Sequence, residues 1–112
     1  MSVKIIQGED RLLTVLLKNS NSSAYDLTGA TEVAACFINK DDENSPIQKN
    51  LASGVTIVGS ADCGKITIKL EETDTVLLEE GVQGFTVTVT EASGDLRKIN
   101  LPNTINVEAP IC

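Results

Sequence analysis

KITIKL, residues 65–70, is the stretch that decides the fold. Ile66, Ile68 and Leu70 alternate with Lys65, Thr67 and Lys69. A helix would turn Ile68 away from Ile66 and Leu70. A strand gathers all three on one face, with the lysines and the threonine on the other. GFTVTVTE, residues 84–91, repeats the device, with Phe85, Val87 and Val89 opposite Thr86, Thr88 and Thr90. Valine, isoleucine and threonine suit a pleated, half-buried surface, so both segments read as strands with one dry face.

The same reading extends along the chain. VKIIQ (3–7), DRLLTVLLK (10–18), TEVAACFIN (31–39), IQKNL (47–51), VTIV (55–58), DLRKINL (95–101) and TINVE (104–108) are further strand candidates. Turn-forming clusters separate them, among them QGED, KDDENSP, GSADCG and LPN. ASGD, residues 92–95, sits between alternating segments and predicts a hairpin. LEETDTVLLEEG (70–81) breaks the rhythm. It predicts one short helical turn near 73–79, N-capped by Thr73, ending at Gly81 and plugging one end of the fold with Leu77. Short strands at this spacing predict an all-β, two-sheet Greek-key sandwich of about seven to nine strands. Residues 1–108 form the expected single domain, and 109–112 a tail.

Composition agrees with a globular domain: 112 residues, 41% hydrophobic, with two Phe, one Tyr and no Trp. The core must therefore be aliphatic. Nine basic residues against 16 acidic leave a net charge of −7, and Arg97-Lys98 is the densest basic cluster. Nucleic-acid and anionic-membrane binding both call for a basic patch, so neither partner is expected. Cys36, Cys63 and Cys112 are too few and too unevenly spaced for a disulfide framework, which points to a reducing compartment. MSVKIIQGEDRLL carries no apolar run of the signal-peptide kind, so synthesis and retention in a cytoplasm, or release from it by lysis, are expected.

Catalytic constellations are scarce. The sequence has no histidine, which removes Ser-His-Asp and Cys-His arrangements and most transition-metal sites. Asp41, Asp42 and Glu43 are contiguous and lack the turn glycine of a calcium loop, so they read as a solvated loop. The carboxylates in 70–74 and 77–81 could pair as in glycosidases, yet aromatic platforms are missing and helix-start and turn roles suit them better. GVQGF lacks the pattern of a phosphate loop, and Cys63 has no base or cation near it in sequence. No enzyme and no cofactor are expected.

Two segments carry more apolar surface than a sandwich strand needs. In 10–18, Leu12 and Leu16 stand opposite Leu13, Val15 and Leu17; in 31–39, Ala34, Cys36 and Ile38 stand opposite Val33, Ala35 and Phe37. Two-faced strands arise where something covers the outer face. The cover could be this chain or a subunit, or the exposure could simply be tolerated. Leu12, Leu16, Ala34, Cys36 and Ile38 are the candidate interface. YDLTGA (25–30) before the second segment is a turn in which Asp26 can bond the backbone, Leu27 can close an end of the sandwich and Gly29 can supply a positive φ.

The order of IIQGEDRLLTVLL, YDLTGATEVAACF, GVTIVGSADCGKITIKLEETDTVLLEEGVQGFTVTVTEASGDLRKIN and LPNTINVEAP resembles small Ig-like β-sandwich domains of tailed bacteriophages and prophages, such as the N-terminal domains of baseplate upper proteins. The resemblance runs from about Ile5 to Val107. It implies an Ig-like fold and a virion structural role in tail, baseplate or head. The partners it implies are other virion proteins or further copies of the chain, after synthesis in the bacterial host cytoplasm. A full baseplate upper protein would continue beyond Cys112 into a shaft, so a stand-alone accessory protein is expected. The alternative is a bacterial Ig-like module that binds carbohydrate or peptide through the loops at 18–26 and 40–46.

Overall fold

Alternation of apolar and polar residues builds eight strands in two sheets among the described residues. The computed structural model describes residues 3–19, 23–39, 44, 46–51 and 53–111. In chain order the strands are β1 (Val3–Ile6), β2 (Arg11–Leu16), β3 (Glu32–Phe37), β4 (Ile47–Lys49), β5 (Val55–Ile57), β6 (Lys65–Leu70), β7 (Gly81–Thr90) and β8 (Leu96–Glu108). A 3₁₀ turn, Ala61–Cys63, precedes β6, and a four-residue helix, α1 (Glu72–Thr75), precedes β7. One sheet has the order β1-β8-β7-β3-β4 and curls into a half-barrel; the other has the order β2-β6-β5. Every pairing is antiparallel except β1 with β8, which runs parallel. The result is mostly β, with one short helix.

The core is the set of residues that the alternation turns inward. Ile66, Ile68 and Leu70 of β6 are fully buried; they face Val33, Ala35 and Phe37 of β3 and Phe85, Val87 and Val89 of β7 across the layers. Leu13, Leu17, Ile5, Ile105 and Val107 extend the same cluster. It is aliphatic except where Phe37 and Phe85 stack, ring centres 4.6 Å apart. Each buried Val, Leu or Ile contributes roughly 1.5–3 kcal/mol by leaving water. ASGD closes the β7–β8 hairpin, with Glu91 N–H donating to Asp95 C=O at 2.9 Å and Gly94 N–H to Glu91 C=O at 2.8 Å.

Residues 95–101 and 104–108 are not two strands. They lie on the single strand β8, which carries an irregularity where LPN predicted a turn. The register steps from Gln83↔Ile105 to Phe85↔Leu101, which sets Pro102, Asn103 and Thr104 opposite Gly84 alone. Asn103 takes φ 56°, and the Thr104 hydroxyl donates to Leu101 C=O at 2.9 Å. Gly84 is what lets the bulge close, since a Cβ there would sit 2.3 Å from the Leu101 carbonyl oxygen.

The helical turn also differs from the sequence expectation. Its N-cap is Glu71 rather than Thr73, and it ends at Thr75, well before Gly81. The start is set by carboxylates that accept the orphan amides: Asp74 from Glu71 N–H at 2.9 Å, and the distant Asp10 from Glu72 N–H at 2.9 Å. Leu78, not Leu77, is the fully buried plug; Leu77 is half-buried against the core. Thr75 is fully buried because its hydroxyl donates to Glu9 C=O at 2.7 Å and accepts from Gly8 N–H at 3.0 Å, tying α1 to the β1–β2 turn.

Candidate docking surface

The three-stranded sheet ends at β2, which is paired on one side, with β6. Leu17 N–H donates to Gly64 C=O at 2.8 Å, which fixes the phase of the ladder. In that phase Arg11, Leu13 and Val15 exchange main-chain bonds with Leu70, Ile68 and Ile66. The main-chain groups of Leu12, Thr14 and Leu16 point the other way and meet no partner among the described residues. The Leu12 and Leu16 side chains stand on the outer face, 58% and 56% exposed. Lys69 and Lys65 of β6 lie beside them in register, and Thr14 faces Thr67. None of Arg11, Lys18, Lys65 and Lys69 forms an ion pair among the described residues. A chain of net charge −7 thus turns a lysine-flanked apolar stripe outward at an open edge.

An apolar slot of about 180 Å³ opens along this edge, between β2 and the half-barrel. Val3, Leu13, Val15, Phe85, Leu101 and Ile105 line it.

Ala34, Cys36 and Ile38 belong to the other sheet. Leu12 and Leu16 are therefore on one outer face of the molecule and the β3 residues on the opposite one; the structure does not join the five into a single patch. Ala34 and Cys36 are half-buried beside their register partners Thr88, Thr86 and Gln48, whereas Ile38 is 49% exposed beyond the end of β3. Cys36, Ile38, Pro46, Thr86, Asn100 and Pro102 line an open cleft of about 560 Å³.

The YDLTGA turn is a folding device. Asp26 Oδ1 accepts from Thr28 N–H at 2.8 Å, and the bonds from Thr28 hold the Asp26 carboxyl below its ordinary range. Leu27 is buried in the core and its N–H donates to Ala61 C=O at 2.9 Å; Gly29 takes φ 79°. Gly64 sits behind this turn, where a Cβ would come within 2.6 Å of the Leu17 carbonyl oxygen and 2.8 Å of that of Tyr25.

Several other polar groups have structural partners, whereas the buried Gln83 Oε1 meets none among the described residues. Asp74 pairs with Lys49 at 2.7 Å, with side chains only 18% and 15% exposed. Arg97 pairs with Glu91 at 2.9 Å beside Tyr25, whose hydroxyl is pushed up by burial and then by Glu91. Cys63 is exposed in the 3₁₀ turn, 3.8 Å from Asp62 Oδ1. Asp41, Asp42, Glu43 and Cys112 lie outside the described residues. Among the described residues no group of three His, Cys, Asp or Glu side chains could hold a metal, and no helix is long and apolar enough to cross a membrane.

Sequence reading missed the open edge itself, the Lys49–Asp74 pair and Thr75. The lack of polar relief at Leu12 and Leu16 signalled an outward apolar face but not that β2 ends its sheet; Asp74 and Thr75 carried no signal, because their partners are distant in sequence. Comparison with protein-family models and with curated proteins returns no match for this chain.

Proposed function

We propose that this chain is a non-enzymatic structural component of a phage or prophage virion, working by docking on other virion proteins or on copies of itself. The observation that carries this reading is the open β2 edge, with Leu12 and Leu16 exposed where a soluble protein ordinarily protects an edge strand. The strand order supports an Ig-like assignment. β2-β6-β5 corresponds to strands B, E and D of that fold, and β8-β7-β3-β4 to G, F, C and C′. The chain passes between sheets at β1–β2, β2–β3, β4–β5 and β6–β7, in keeping with a Greek-key sandwich. The resemblance of the ordered motifs to phage Ig-like domains supplies the virion context. The test is immunogold labelling of purified particles from the producing cells with an antibody to this protein. Labelled particles support the reading; particles free of label, with the protein left in the soluble fraction, overturn it.

A second reading, a bacterial Ig-like module binding peptide or carbohydrate, draws on the cleft lined by Ile38, Pro46, Thr86 and Asn100. A glycan and peptide array separates the two: specific hits that are lost in Ile38→Lys favour the module, and none favours assembly.

A further inference from the structure

We infer that β2 is a self-pairing edge: two copies join antiparallel, β2 against β2, about a two-fold axis at Thr14. This deepens the assembly reading by naming the surface and making a second copy its occupant.

The argument begins with residues 10–18, Asp-Arg-Leu-Leu-Thr-Val-Leu-Leu-Lys. Centred on Thr14, the segment read backwards is complementary to itself in every pair but Arg11 with Leu17. Leu12 meets Leu16, Leu13 meets Val15, and Asp10 meets Lys18. Antiparallel pairing about a two-fold brings together these partners, because a symmetric interface sets residue i against j and j against i.

The backbone independently selects the same register. The unpaired main-chain groups of β2 belong to Leu12, Thr14 and Leu16. An antiparallel ladder exchanges its hydrogen bonds at every second residue pair. Centring on Thr14 makes Leu12↔Leu16, Thr14↔Thr14 and Leu16↔Leu12 the bonded pairs, so all three unpaired residues are satisfied together. A shift by one residue would place bonded residues of one strand opposite unbonded residues of the other.

The side chains then fall into place on both faces. On the outer face the exposed leucines cover each other in two cross-strand pairs, and the two threonines meet at the axis. On the inner face Leu13 and Val15 meet their counterparts and look toward the apolar slot along this edge. At the two ends Lys18, without an ion pair among the described residues, meets Asp10, one of whose carboxylate oxygens accepts from Glu72 N–H. The product is a continuous six-stranded sheet, β5-β6-β2-β2-β6-β5, with neither β2 edge exposed.

The test combines light scattering with site-specific cross-linking of the full chain. Wild type should show a concentration-dependent dimer of twice the 11.9 kDa chain mass. Thr14→Pro removes the donors at the axis at an edge position where proline is tolerated. Thr14→Lys sets two like charges opposite each other and leaves the fold untouched if the proline does not. Each should raise the dimerisation midpoint by about tenfold or more. In a background of Cys36→Ala, Cys63→Ser and Cys112→Ser, Thr14→Cys should oxidise with diamide to a covalent dimer, since bonded antiparallel pairs lie about 5.5 Å apart at Cα. Leu12→Cys alone should not cross-link, but mixed with Leu16→Cys it should. A dimer indifferent to Thr14→Lys, or one whose Thr14→Cys form fails to cross-link, overturns the edge pairing while leaving self-assembly intact. A strict monomer found on labelled particles overturns the pairing but not the virion role; a strict monomer absent from particles overturns both.

Discussion

Gly84 and Asp26 show how far single residues control this fold. Gly84 is irreplaceable for a steric reason: its missing side chain leaves room for the Leu101 carbonyl at the β8 bulge. Gly84→Ala is expected to lower stability by about 3 kcal/mol in urea unfolding, the upper range for a forced backbone shift. Asp26 acts by charge. Its carboxyl is held below the ordinary value of 3.8 in the fold by the bonds from Thr28. A depressed folded pKa gives stability that is present above the unfolded pKa and lost as pH falls through the folded one. An NMR titration should place the Asp26 midpoint below 3.8, and Thr28→Ala should move it back up. Turn chemistry of this kind is readable in sequence because donor and acceptor are two residues apart. Thr75 is not readable, because its partners at Gly8 and Glu9 lie 67 and 66 residues away.

At the scale of elements, alternation made most strands legible. β6 and the latter half of β7 follow their apolar rhythm, and β3 buries the face that Val33, Ala35 and Phe37 define. Of the pairings, only the β7–β8 hairpin at ASGD was legible. Pro102 and Asn103 suggested a chain reversal, yet β8 runs through them because β7 offers a glycine opposite. The helix was misplaced for a related reason. Its start is fixed by Asp74 and by Asp10, and its first turn is held to the sheet by Lys49. Asp74→Ala would strip a cap and leave Lys49 largely buried without its partner. The expected loss is about 3 kcal/mol by urea unfolding, and Asp74→Asn, which keeps the cap acceptor, should recover part of it.

At the scale of the molecule, the sequence announced surplus apolar surface and the structure divides it between two opposite faces. Leu12 and Leu16 could be flagged from the sequence, but alternation reports which way a side chain points and never which strand ends a sheet. That β2 is an edge follows from the topology, and the topology turns two exposed leucines into a surface with unpaired backbone beside it. Lys69 and Lys65 flank this surface in a chain of net charge −7. Amide hydrogen exchange, followed by NMR across protein concentration, tests this most directly. The amides of Leu13 and Val15 bond to β6 and should be protected at every concentration. Those of Leu12, Thr14 and Leu16 should exchange freely in dilute solution and slow together, by about tenfold or more, as copies associate. Free exchange of Leu12, Thr14 and Leu16 at all concentrations in a sample shown to be dimeric would contradict self-docking through the β2 edge.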